Sequence, residues 1–194
     1  KYLLFDYDGT LHDSTALYPP AFRAMYAQME RDGFAPPRVW QDEEITRWLG
    51  YNAADMWRDF LPQASPEQQA HYGAQIGREM LRRIQDGQAR LYPGARETLE
   101  QLARRGYVMV LLSNCKEDYL RAHREYFSLD DFFCGYYAAE TYGFRPKHEI
   151  FSVIAKEHPG EFTVIGDRIH DMELARRNAL PAIGCRYGFG KDEE

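Results

Sequence analysis

Short apolar runs that each break off on a polar residue constrain this chain most. Tyr2-Leu3-Leu4-Phe5 stops at Asp6, Tyr107 to Leu112 stops at Ser113-Asn114, and Phe162 to Ile165 stops at Gly166-Asp167. Apolar runs of this kind read as strands buried on both faces. After Gly87, helical patterns separate them. One opens at Pro93 and runs through Leu99 and Leu102 to Gly106, and a second covers about Lys116 to Tyr126. Two more cover Glu149 to Glu157 and Asp171 to Asn178. Phe132 to Ala138 is a less regular strand, and Pro181 to Cys185 is a last one. Strands alternating with helices imply a parallel sheet with right-handed crossovers.

Between the first strand and the rest lies a stretch of different character. Tyr18, Phe22, Met25, Tyr26 and Met29 recur at helical spacing and make one apolar stripe, closed by Gly33 and Pro36-Pro37. Ile45, Trp48 and Leu49 suggest a second helix, and Met56, Trp57, Phe60 and Leu61 a third that stops at Pro62. Ser65-Pro66-Glu67 is a helix start with a capping hydroxyl and proline in the first turn, and its helix extends to about Ile84. The expected fold is therefore α/β. Residues 1–13 and 89–194 form a Rossmann-like parallel sheet core, and residues 14–88 form a helical cap inserted after the first strand.

Composition narrows the class. Lys and Arg total 24 against 30 Asp and Glu, a formal net charge of −6. Phosphate-backbone binding needs a basic face, so nucleic acid is not the expected partner. No apolar run approaches the ~20 residues that span a bilayer, and no secretory signal opens the chain. Cys115, Cys134 and Cys185 are scattered and odd in number, which fits neither a disulfide framework nor a CxxC metal site. A reducing, cytoplasmic setting is the simplest reading. The first residue is not Met and the last follows a glycine-rich turn, so further residues are expected at one or both ends.

In an open parallel sheet, ligands bind beyond the carboxyl ends of the strands. The polar residues collected there are Asp6 and Asp8, Ser113 and Asn114, and Asp167 with Asp171 one turn later. Singly, each could be a turn or cap residue. Together they bring carboxylates and a hydroxyl from three segments to one edge. Carboxylates so crowded repel one another unless a cation joins them, and hard oxygen ligands suit Mg²⁺. Histidines 12, 71, 123, 148, 158 and 170 show no paired ligand spacing and read as solvated or locally hydrogen-bonded.

The stretch Phe5-Asp6-Tyr7-Asp8-Gly9-Thr10-Leu11 resembles the first motif of the haloacid-dehalogenase-like hydrolases. Leu112-Ser113-Asn114 resembles their second motif, and Gly166-Asp167-Arg168-Ile169-His170-Asp171 their fourth. The motifs stand in the family's order, and the helical insertion matches the cap that many members carry. The resemblance implies that Asp6 is the nucleophile that attacks phosphorus, and that Asp8 is the acid for the leaving oxygen and then the base for water. It further implies that Ser113 holds a phosphoryl oxygen, and that Asp167 binds Mg²⁺ with Asp6 and the Asp8 carbonyl while Asp171 supports the metal. Thr10 and Asn114 are further candidate substrate contacts. Dehalogenating members carry Tyr at the position of Asp8, and phosphonate-cleaving members a small residue, so Asp8 points to phosphoryl transfer.

The third motif departs from the family's Lys-Pro pattern. The chain reads Phe144-Arg145-Pro146-Lys147-His148-Glu149. Aligned on the proline, Arg145 takes the lysine's place and Lys147 follows. Lys is a compact point charge whereas Arg forks, which favours Lys147 on residue type. In the cap, Gly50-Tyr51-Asn52 resembles a substrate-facing turn, and Arg47 and Asn52 are candidate leaving-group contacts, although Arg47 reads equally well as a solvated helix residue.

The expected protein is thus a Mg²⁺-dependent phosphatase similar to the phosphoglycolate-phosphatase-like branch. Its expected partner is a small phosphorylated metabolite, with oligomeric state open. A β-phosphoglucomutase-like phosphoryl transferase shares these motifs and is the enzymatic alternative. A non-catalytic binding domain on the same fold is the alternative from another class.

Overall fold

The computed structural model describes residues 1–194. Strand β1 (Tyr2–Phe5) forms the middle of a five-stranded sheet with β2 (Val108–Ser113), β3 (Phe133–Ala138), β4 (Phe162–Gly166) and β5 (Ala182–Gly184). The order is β3-β2-β1-β4-β5, with every pair parallel. From β1 the chain builds outward through β2 and β3, then crosses back to add β4 and β5 on the other side. The reversal lies at β1 and β4, where an open sheet leaves a crevice beyond its carboxyl ends.

Leu4, Val110 and Val164 stand in register across β2, β1 and β4. With Leu112, Ile150, Phe151, Ile154, Phe162 and Leu174 they make one core layer under α7 (Lys147–Glu157) and α8 (Ile169–Arg177). The opposite face buries Leu3, Phe5, Met109 and Leu111, and the elements α5 (Ala95–Arg104) and α6 (Glu117–Tyr126) bury Leu99 and Leu120. Sheets covered on both faces need the near-continuous apolar strands seen here. Ile154 is fully buried in the first layer. Ile154→Ala should lower unfolding free energy by about 2–5 kcal/mol, the usual cost of emptying such a site, measured by denaturant titration.

Residues 14–89 form a separate compact unit, so Ala89 falls with the helices rather than with the sheet. Its helices are α1 (Tyr18–Arg31), α2 (Asp42–Thr46), α3 (Ala53–Phe60) and α4 (Pro66–Gln85), without a strand. Ser65 caps the last of them in a capping box with Gln68. The Phe22 ring centroid lies 5.1 Å from those of Trp48 and Phe60 and 5.2 Å from that of Trp40. The aromatic stripe of the first helix is therefore core. Within the sheet-bearing unit, the Asp13 N–H donates to the Arg90 carbonyl at 3.0 Å, and Arg90 Nε donates to Asp13 Oδ2 at 2.8 Å. These bonds tie together the two points at which the chain leaves and rejoins that unit.

Three helix starts differ from expectation, the first being α5, which begins at Ala95 rather than Pro93. α7 begins at Lys147 rather than Glu149, immediately after Pro146. α8 begins at Ile169 rather than Asp171, because Asp171 closes a capping box from the third helical position instead of opening the helix.

Candidate active site

β1, β4 and α7 deliver the central cluster. Asp6 follows β1 directly, and its N–H donates to the Ile165 carbonyl at 2.8 Å, which aligns it with the end of β4. Lys147, in the first turn of α7, is on the helical face that also carries Ile150, Phe151 and Ile154. That face is buried, so the lysine stem is carried inward with it. Its ammonium donates to Asp6 Oδ1 at 2.6 Å and to Asp171 Oδ1 at 2.7 Å. Arg145 precedes the helix, is exposed, and donates from Nε to the Tyr142 carbonyl at 3.2 Å.

Asp167 follows β4. Its Oδ1 accepts from the Thr10 hydroxyl at 3.2 Å and its Oδ2 from the Phe189 N–H at 2.7 Å. Asp171 Oδ2 accepts from the Arg168 N–H at 3.1 Å. Backbone comes unusually close to these carboxylates. A Cβ at Gly9, which already has φ +86°, would lie 2.3 Å from Asp167 Oδ2, so only glycine fits the turn after Asp8.

Carboxylate oxygens of Asp6, Asp167 and Asp171 lie within 4.8 Å of one another, all buried. One ammonium faces three carboxylates, so the cluster holds more negative than positive charge. Burial raises the Asp6 pKa well above the usual carboxylate range, and Asp171 raises it further against the opposing pull of Lys147. Burial likewise pushes Asp167 up to about 6, with the Phe189 N–H working downward and Asp171 upward. Burial works against the Lys147 charge, but Asp171 and Asp6 outweigh it and keep that pKa above its ordinary value. Hard oxygen donors, converging and short of positive charge, fit a small divalent cation.

The Asp8 carboxylate does not join this cluster. Past β1 the strand alternation ends and the chain turns at Gly9. Asp8 Oδ1 instead accepts from the Tyr119 hydroxyl at 2.8 Å and lies 2.9 Å from His12 Nδ1. The expected crowd of four carboxylates is a cluster of three with a fourth held apart, which leaves the Asp8 backbone carbonyl as that residue's candidate metal contact. Behind it, Tyr7, His12, Tyr119 and His123 form a buried aromatic group. Burial, with Asp8 beside it, pushes the Tyr119 hydroxyl well up in pKa, so it stays a donor. Burial and His12 hold His123 well below the usual histidine range. His12 is locally hydrogen-bonded as expected, whereas His123 is neither solvated nor local: its Nδ1 pairs at 2.8 Å with Tyr7 Oη, 116 residues away. The spacing of His12 four residues after Asp8 was the available signal. Tyr119 carried none, since it is distant in sequence from both.

Ser113 ends β2 and is buried, with Asn114 half-buried beside it. Thr10, expected to touch substrate, is 1% exposed and spends its hydroxyl on Asp167. Arg47 pairs with Asp59 at 2.7 Å and lies over the Trp48 ring at 4.7 Å. Asn52 caps the third helix of the helical unit, its Oδ1 accepting from the Asp55 N–H at 2.9 Å. Both residues thus have structural tasks within that unit.

The chain is similar to known proteins along nearly its whole length. A 5'-nucleotidase of Pseudomonas aeruginosa is 28% identical over 99% of this chain and 85% of its own length. A phosphoglycolate phosphatase of Aliivibrio fischeri is 25% identical over 100% of this chain and 87% of its own. Among solved structures, a predicted phosphatase from Clostridium acetobutylicum superposes with a TM-score of 0.83 at 20% identity, covering 100% of this chain and 88% of that one. The family model described as haloacid dehalogenase-like hydrolase matches residues 1–178, and the chain belongs to that family, among its phosphatases of the phosphoglycolate-phosphatase-like branch.

Proposed function

We propose that this protein is a Mg²⁺-dependent phosphatase that hydrolyses a small phosphate monoester through an aspartyl-phosphate on Asp6. The observation that carries this reading is the buried Asp6 carboxylate. It is gripped by Lys147 at 2.6 Å and flanked by Asp167 and Asp171, with Asp8 held separately by Tyr119 and His12. A two-step displacement needs one carboxylate free to attack and a second that moves a proton, and the division between Asp6 and Asp8 supplies both.

In the first step an Asp6 oxygen forms the bond to phosphorus while the ester P–O bond breaks, and Asp8 gives its proton to the departing oxygen. In the second, Asp8 takes a proton from water as the water oxygen attacks phosphorus, which releases phosphate and restores the Asp6 carboxylate. Ser113 with the adjacent backbone N–H is suited to hold a phosphoryl oxygen, and Lys147 offsets charge on Asp6 and the phosphoryl group. Asp6, Asp167 and the Asp8 carbonyl would hold the ion, with Asp171 holding Lys147 in place. When bound, Mg²⁺ neutralises charge between nucleophile and phosphate. The relatives named 5'-nucleotidase and phosphoglycolate phosphatase support a small soluble ester as substrate.

The test is a phosphate-release screen over metabolite monoesters, including nucleoside monophosphates and 2-phosphoglycolate. Release should vanish in EDTA and return with Mg²⁺. Ca²⁺, with its larger and looser coordination shell, should inhibit. Full activity in chelator would sink the assignment of the metal.

A further inference from the structure

A carboxyl on a loop can sweep through many orientations, yet an acid that protonates a leaving group must be aimed. A misplacement of about 1 Å can slow such chemistry roughly a hundredfold. Two groups converge on a single oxygen of Asp8: the Tyr119 hydroxyl donates to Oδ1 at 2.8 Å, and His12 Nδ1 lies 2.9 Å from it and donates there as the Nδ1–H tautomer, with the two groups 3.3 Å apart. Both belong to the buried part of the molecule, and His12 has no exposed surface.

The donors are in turn clamped. The Tyr7 ring stacks on the His12 ring, with centroids 5.3 Å apart and an interplanar angle of 5°. The His123 ring packs edge-on 4.3 Å from His12 and 4.3 Å from Tyr119. Tyr7 Oη is hydrogen-bonded to His123 Nδ1 at 2.8 Å, which locks those two rings together. Tyr7 and His12 come from the loop after β1, and Tyr119 and His123 from one face of α6, four residues apart. The group therefore joins the loop that carries Asp8 to a helix on the sheet's flank.

We propose that His12 and Tyr119 are positioning residues for Asp8, fixing the direction from which it delivers its proton to the leaving oxygen. This rests on the reading of Asp8 as the acid given above. With Oδ1 accepting from two donors, the proton that moves is the one on Oδ2. As the P–O bond breaks and the Asp6–phosphorus bond forms, that proton passes to the leaving oxygen, while Tyr119 and His12 keep theirs. The effect of losing either donor should then follow the leaving group's need for a proton. A good leaving group departs without help, and an alkoxide does not.

The experiment uses the full chain with Mg²⁺ and compares two probes, para-nitrophenyl phosphate and 2-phosphoglycolate, in single-turnover cleavage and in steady state. Tyr119→Phe keeps the ring and removes only the hydroxyl. It should slow single-turnover cleavage of 2-phosphoglycolate at least tenfold and leave the nitrophenol burst within about threefold, with KM for either ester little changed. His12→Asn, whose amide nitrogen can occupy the Nδ1 position, should retain most of the rate that His12→Leu loses. Equal losses on the two probes, no loss, or a change in KM alone would overturn the proposal. Asp8→Asn is run beside them. If Asp8→Asn shows the leaving-group dependence and Tyr119→Phe does not, the positioning role fails and the acid stands. If Asp8→Asn shows none, the assignment of the acid fails and the proposal with it.

Discussion

Asp6→Asn is expected to abolish phosphate release, with a fall on the order of 10⁴–10⁶-fold, as for loss of a covalent nucleophile elsewhere. The amide has nearly the shape of the carboxylate but cannot attack phosphorus, so the acyl phosphate never forms. Folding should survive. Burial and Asp171 raise the Asp6 pKa in the folded protein. A carboxylate whose pKa is raised by folding is one whose ionised form the fold disfavours. At neutral pH that charge works against stability, so its removal should leave the melting temperature level or higher, although Lys147 keeps only Asp171 as its carboxylate partner. An inactive but equally stable variant separates chemistry from misfolding. Near wild-type turnover in Asp6→Asn would move the nucleophile elsewhere and undo the mechanism.

The strand ends were legible because two local signals coincide there. An apolar run buried on both faces must stop where the sheet stops, and in this chain each such run stops on Asp or Ser. That placed Asp6, Ser113 and Asp167 from sequence. The choice between Lys147 and Arg145 depends on helix phase. Lys147, Ile150, Phe151 and Ile154 follow the i, i+3, i+4, i+7 pattern, and all four are buried. A helix start at Glu149 leaves Lys147 outside that stripe, and residue type alone then decides. The orientation of Asp8 could not be read at all. It depends on Tyr119, which lies 111 residues away and reaches Asp8 only once α6 has packed on the sheet. The Thr10 pairing was hidden for a similar reason, since its partner Asp167 lies 157 residues away.

Lys147→Met carries the other large effect. The methionine fills most of the lysine's volume and removes only the ammonium. Three buried carboxylates would then share no protein cation, because Arg145 stays outside, bonded to the Tyr142 carbonyl. Removing one partner of a buried ion pair typically costs about 3–5 kcal/mol, so the melting temperature should fall clearly in metal-free buffer. Part of that loss should return when Mg²⁺ is added, since a ligand that binds only the folded state stabilises it by mass action. Catalysis should not return with it. The charge on the transferring phosphoryl group loses a preorganised donor in a water-poor site, where one such donor is worth about 10²–10³-fold in kcat. Arg145→Ala should change kcat/KM no more than about threefold, because an exposed guanidinium bonded to a backbone carbonyl has nothing to contribute at Asp6. Steady-state kinetics of both variants on the same ester, with thermal melts with and without Mg²⁺, decide the matter. A heavy loss in Arg145→Ala with Lys147→Met near normal would assign the third-motif cation to the residue before Pro146, and α7 would then have to turn its first-turn lysine away from Asp6.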